Sequence, residues 1–239
     1  TRLIVGAQGM ACASPAYLNA LAYARTRGQC AVLGAKDKKQ EAIIHHPDVR
    51  RMLLSMKMYI EGMRSLLYFI SVCEDEKLLT EDADQKETLQ NLIDILIPVA
   101  KAYISDRAID VCSLAIQVHG GYGYTCDYPV EQYYRDARVI PIYEGTNGIQ
   151  AIDLLGRKLS MKNGCLLEDL SKRIRETIDS AKKVSGLKRL ADKVESAVNA
   201  WYDSARHMAT EAGGLEVKRA FTHAYPLMEV TGDVVMAWM

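Results

Sequence analysis

Long apolar runs are missing from this chain. No stretch approaches the roughly 20 residues that would span a bilayer, and no basic start followed by an apolar centre marks a secretory signal. Net charge is missing as well: Lys+Arg and Asp+Glu balance at 30 each, so no overall field recruits DNA or an acidic membrane. The expectation is a protein without nucleic-acid partners or a membrane span. The six cysteines, at positions 12, 30, 73, 112, 126 and 165, form no CxxC pair and lie in no His-rich spacing. That argues against a zinc site or a disulfide scaffold and predicts no metal, with reduced thiols in a cytoplasmic protein. Alternating strand patterns with two-residue turns are nearly absent, as are internal repeats and low-complexity tracts.

What is present is ordinary globular composition, 49% hydrophobic and 25% charged over 239 residues, enough for one sizeable core or two smaller ones. Helical periodicity dominates, so the fold class is all-α. Pro47 suits a first helical turn, and from it Val49, Met52, Leu53, Met56, Tyr59, Ile60, Met63, Leu66, Leu67 and Ile70 fall on one stripe at spacings of three and four. Residues 2–27 carry Gly6, Ala7, Gly9, Ala11, Ala13 and Ala16, which would let another backbone approach closely if the segment is helical. A further helix is predicted over about 84–118, kinked or restarted at Pro98 and ended by Gly120 and Gly121. A short helix follows over about 130–138, and another opens after the loop Tyr143-Glu144-Gly145-Thr146-Asn147-Gly148. These make an up-down helical bundle over 1–162. After a boundary at Lys162-Asn163-Gly164, residues 165–239 form a smaller helical tail domain, with helices near 166–184, 187–210 and 215–239. The middle one has the stripe Leu187, Leu190, Ala191, Val194, Ala197, Val198 and Trp201. Residue 1 is Thr, and the last segment, Asp233 to Met239, has no C-cap signal. A piece of a longer protein is therefore expected.

The sharpest local feature is the Tyr143-Glu144-Gly145-Thr146 loop, a carboxylate on a glycine-containing turn just before a helix. Such a carboxylate suits a general base, since the helix N-terminus beside it offers N–H groups and a positive dipole end for a phosphate or oxyanion. The plainer reading is a capping turn, with Thr146 as the cap and Glu144 in water. Local pattern leaves both open. The stretch from His119 to Thr125 could cradle a phosphate or merely end a helix. His45 and His46, adjacent before Pro47, point in different directions and suit a helix start better than a metal. Arg2, Arg27 and Arg135 could each clamp a phosphate or pair with a carboxylate.

Ordered motifs carry a resemblance over most of the chain. Thr1-Arg2 leads to Tyr23-Ala24-Arg25-Thr26-Arg27. Then come Gln117-Val118-His119-Gly120-Gly121-Tyr122-Gly123, Tyr128-Pro129-Val130-Glu131, Arg135-Asp136-Ala137-Arg138 and Tyr143-Glu144-Gly145-Thr146. Residues 1 to about 160 resemble the C-terminal helical domain of the acyl-CoA dehydrogenase family. Residues from about 165 onward, with the insertion Ala35 to Glu41, resemble the subgroup that includes 3-methylmercaptopropionyl-CoA dehydrogenase.

The resemblance implies FAD-dependent α,β-dehydrogenation of an acyl-CoA thioester. Glu144 matches the base that removes the α-proton. Thr1, where some members keep that base instead, cannot ionise. Arg2 matches an arginine that helps hold the CoA part, and Tyr143 and Gly145 match residues flanking the thioester. Arg27 matches an arginine reaching the FAD pyrophosphate of a neighbouring subunit. Gln117, Gly120 and Gly121 match the loop over the adenosine end, and Thr146 matches a flavin contact. The implied partners are an acyl-CoA substrate, electron-transfer flavoprotein as electron acceptor, and further copies of the chain in a dimer or tetramer. Three positions depart from the family pattern: Cys30 stands in place of a phenylalanine beside the flavin, Pro47 in place of an amide, and Gly148 in place of a glutamine. Alternatives are an acyl-CoA oxidase, which shares the helical domain, and a noncatalytic DNA-binding flavoprotein relative, which the neutral charge disfavours.

Overall fold

The computed structural model describes residues 1–34, 39–215 and 217–239, and among them the regular structure is helical throughout. The helices, in chain order, are α1 (Arg2–Thr26), α2 (Pro47–Leu79), α3 (Ala83–His119), α4 (Val130–Val139), α5 (Asn147–Asp153), α6 (Cys165–Lys182), α7 (Lys188–Ala212), α8 (Val217–Thr222) and α9 (Ala224–Trp238). The all-α expectation stands. The inserted segment from Ala35 to Glu41 lies partly outside the described residues.

The described chain divides into two compact units. One comprises residues 4–64 and 104–143. Its α1 is lined by small residues, with Val5, Gly6, Gly9, Ala13, Ala16, Ala20 and Ala24 buried. A β-carbon at Gly9 would touch the backbone of Ile104 and Ser105 at 3.4 Å, so the small-residue stripe does admit a close helix neighbour. After α1 the chain doubles back: Ile43 donates its N–H to the Arg27 carbonyl at 2.8 Å, and Gln29 and Cys30 exchange backbone bonds with Glu41 at 3.0 Å. Arg27 is thereby held where residues 27–30 pair with residues 41–43.

The other unit comprises residues 1–3, 65–103 and 144–239. In α3 every residue from Pro98 to Ser105 is buried. The helix therefore runs through Pro98 without a restart: packing around this stretch outweighs the roughly 3 kcal/mol that an interior proline costs. A π-helical turn over Leu154–Lys158 extends α5, with the buried Lys158 ammonium 2.7 Å from Asp94.

The tail helices α6 to α9 belong to this same unit. The inward stripe of α7 is narrower than predicted: Ala191, Val198, Trp201 and Ala205 are buried, while Leu187, Leu190 and Ala197 face water. The final segment, expected as one helix, is two, because the chain breaks at His223 between α8 and α9. That break lets Phe221 of α8 lie over Gly156 of the π turn, where a β-carbon would come within 2.8 Å of the ring. In α9, Thr231 accepts from Trp201 Nε1 at 2.9 Å and donates to the Leu227 carbonyl at 2.7 Å, tying α9 to α7.

Candidate active site

Two consecutive left-handed residues display the Glu144 carboxylate. Glu144 has φ 55° and Gly145 φ 82°, so the chain turns sharply and leaves Glu144 exposed. A non-glycine residue in this region is strained, and such strain persists only where the surroundings impose it. Here the buried Gln150 imposes it. Its Nε2 donates to the Gly145 carbonyl at 3.1 Å and lies 3.5 Å from that of Glu144, and its Oε1 accepts from Arg2 at 2.9 Å. A β-carbon at Gly145 would be strained by φ and would stand 2.8 Å from that same Nε2, pushing the Gln150 amide from its place.

Arg2 also donates to Asp153 at 2.7 Å, and Arg157 bonds the second oxygen of Asp153 at 2.6 Å. Burial pushes the Asp153 carboxyl up, and the bonds from Arg157 and Arg2 outweigh it, leaving the group below the usual carboxylate range. The guanidinium of Arg2 is thus engaged behind the turn. Thr146 is the N-cap of α5 and accepts from the N–H of Ile149 at 3.3 Å. Capping and display therefore coexist: the cap is Thr146, and the carboxylate it presents is Glu144. Tyr143, just before the turn, donates its hydroxyl to Gln8 of α1.

The second group of expected residues gathers within the unit of residues 4–64 and 104–143. Arg27, Gln117, Gly120 and Gly121 line one recess of about 790 Å³. Helix α3 ends at His119 and continues as a 3₁₀ turn over Gly120–Tyr124, with φ 63° at Gly120. A β-carbon at Gly120 or Gly121 would meet nothing within 4 Å, so the turn offers bare backbone to the recess. Gly123, by contrast, is required by packing, since its β-carbon would lie 2.6 Å from the Ile116 carbonyl oxygen. The Arg27 guanidinium is exposed, 5.6 Å from the centroid of the Tyr122 ring. Behind the turn, His119 is buried and stacked on Tyr23 with centroids 4.4 Å apart, its Nδ1 2.8 Å from the Ala115 carbonyl. Burial pulls the His119 imidazole down, with the Ala115 bond opposing in part. His46 lines the recess and bonds the Gln29 carbonyl at 2.7 Å, while His45 is exposed; neither joins a metal-binding group among the described residues. Cys30 is exposed at the rim with φ 57°.

The family described as acyl-CoA dehydrogenase, C-terminal domain, matches residues 1–159, and one described as acetyl-CoA dehydrogenase C-terminal like matches 170–239. The chain belongs to the acyl-CoA dehydrogenase family. It is 37% identical, over 99% of its length, to the 3-methylmercaptopropionyl-CoA dehydrogenase of Ruegeria pomeroyi, of which it covers 40%. Among solved structures it resembles ACDH-11 of Caenorhabditis elegans in complex with C11-CoA, with a TM-score of 0.77 and 21% identity over 98% of this chain and 38% of that one. An acyl-CoA dehydrogenase from Bacillus anthracis complexed with FAD matches with a TM-score of 0.73 and 20% identity, over 98% of this chain and 40% of that one. The chain thus spans about 40% of the length of these relatives.

The residues behind the Glu144 turn are barely legible in the sequence. Gln150 and Asn147 follow the loop with no local mark of their own, yet both are buried and bonded. Lys101 is fully buried and donates to Asn147. One signal did exist. Lys101 interrupts the apolar run Ile95-Leu96-Ile97-Pro98-Val99-Ala100 and Ala102-Tyr103-Ile104, where a charge is out of place unless it has a buried partner.

Proposed function

We propose that this chain carries the base and part of the cofactor-binding surface of a flavoprotein that dehydrogenates an acyl-CoA thioester between its α and β carbons, with Glu144 taking the α-proton. The observation that carries the reading is an exposed carboxylate on a left-handed turn, backed by Gln150 and placed at the N-terminus of α5. Proton abstraction by a carboxylate demands a nearby and fixed oxygen, and a turn held from behind supplies one without solvent reorganisation. The α-hydrogen of a thioester is far less acidic than a carboxylic acid, so charge developing on the thioester oxygen also needs donors. Tyr143 and Gly145 flank the thioester in this reading, and Arg2, which also bonds Gln150 and Asp153 behind the turn, helps hold the CoA part.

The chemistry FAD supplies when bound is acceptance of the β-hydrogen as hydride. The residues present fit such a group. Arg27 offers two parallel donors to a pyrophosphate, and the bare backbone at Gly120 and Gly121 with Gln117 accepts the adenosine side. Thr146 stands beside the base at the start of α5. Arg27 serves the FAD of a neighbouring copy, which makes the working form a dimer or tetramer, with electron-transfer flavoprotein as electron acceptor and the cytoplasm as its place. The tail, residues 165–239, acts as a packing domain following the bundle of 1–162.

The test is Glu144→Gln in the full-length flavoprotein. The amide keeps shape and removes the base, so flavin content and folding stay near wild type while anaerobic flavin reduction by acyl-CoA slows by several orders of magnitude. Reduction at close to the wild-type rate overturns the assignment.

A further inference from the structure

Asn147 is the first residue of α5, two positions beyond the Glu144–Gly145 bond that forms the turn, and it is buried. Its amide is bracketed by consecutive residues of α3: Oδ1 accepts from Lys101 Nζ at 2.9 Å, and Nδ2 donates to the Ala102 carbonyl at 3.1 Å. Lys101 itself is 0% exposed. An ammonium so placed is tolerated only with well-directed acceptors, and shifting one of them leaves a buried charge poorly solvated. A contact of that kind is stiff, because displacing Asn147 disturbs two buried groups of α3 at once.

The neighbouring residues add to the anchorage. Tyr103, next along α3, donates its hydroxyl to Asp233 of α9 at 2.6 Å, so the stretch that grips Asn147 is itself tied to the tail. On its other side, Asn147 follows a turn whose φ values of 55° and 82° need external support. Gln150 supports that turn from within α5, and Arg2 ties Gln150 and Asp153 from outside it. Lys101 holds the helix at its first residue, Asn147.

We propose that Lys101 is a positioning residue for Glu144: through Asn147 it anchors the first residue of α5 and thereby sets where the turn holds the carboxylate. This rests on the reading of Glu144 as the base. Lys101 touches no substrate atom in this account; its effect passes through Asn147 and the turn.

The experiment uses the full-length flavoprotein with Lys101→Met, which keeps the apolar stem and removes the charge. It also uses Asn147→Ser, which keeps a small polar group but is too short to bridge Lys101 and Ala102. The quantities read are flavin content, fraction folded, acyl-CoA affinity and the limiting rate of anaerobic flavin reduction, with Glu144→Gln alongside. Misplacing a reacting group by about 1 Å can cost about 100-fold in rate. Each positioning variant is expected to lower the limiting rate about 10-fold to 100-fold per folded, flavin-loaded molecule, with acyl-CoA affinity within about threefold. The double variant is expected to be no slower than the worse single one, because both changes break the same contact. Should Lys101→Met fail to fold, Asn147→Ser carries the test alone. Wild-type limiting rates in the folded variants overturn the positioning role, as does a rate loss that merely tracks the folded fraction. A near wild-type rate in Glu144→Gln overturns the base assignment instead, so the two failures are separable.

Discussion

Gly232 of α9 lies against the ring of Tyr103 so closely that a β-carbon on it would stand 1.9 Å from the ring's Cδ2 atom. The same tyrosine bonds Asp233, the next residue, at 2.6 Å. Glycine in the middle of a helix is otherwise unfavourable by about 1 kcal/mol relative to alanine. Contact with the tyrosine is what demands it.

Gly232→Ala therefore sets two effects against each other. Helix propensity favours alanine by about 1 kcal/mol. Overpacking typically costs about 1–3 kcal/mol, and here the ring must move far enough to strain the Asp233 bond as well. Destabilisation is expected to win, lowering the denaturant midpoint and the melting temperature. In a Tyr103→Ala background the same substitution should turn neutral or mildly stabilising. A Gly232→Ala protein as stable as the parent would show that the ring relaxes at no cost.

Arg27→Lys should weaken flavin retention in the full-length protein while leaving the pH dependence of flavin reduction unchanged. A planar guanidinium presents paired donors to a pyrophosphate, whereas an ammonium presents a point charge. Flavin release followed by fluorescence during dialysis measures the effect. Equal retention in the two proteins would remove Arg27 from the cofactor site.

His119 gives a pH dependence whose sign follows from its burial. The folded-state pKa lies below the ordinary value, with burial as the main cause. As pH falls below about 6.5 the unfolded chain therefore takes up the proton before the folded one does. The contribution to stability is fully present above the ordinary histidine pKa and is lost as pH falls toward the depressed folded value. His119→Phe, which keeps a flat ring between Tyr23 and Tyr128, should flatten the stability profile over the range below about pH 6.5. Parallel urea-unfolding profiles for the two proteins across that range would rule out this contribution.

The amino-acid sequence by itself determined the helical class, the stripe from Met52 to Ile70 on α2 and the helix end at Gly120. These features depend on spacings of three and four and on residues with special backbone preferences, which act over one or two turns. Motif order likewise made the family legible, and the turn bearing Glu144 could be located as a loop before a helix. Tertiary structure alone decided which residues support that turn. Gln150 reaches back along α5 to the Gly145 carbonyl, Arg2 comes from 148 residues away, and Asn147 meets Lys101 and Ala102 across 46 and 45 residues. It also decided that α3 continues through Pro98, that Leu190 faces water and that α8 and α9 part at His223. The physical reason is the same in each case. Burial and hydrogen bonding between distant segments outweigh local propensities of about 1–3 kcal/mol, and no local pattern specifies which distant segment will arrive.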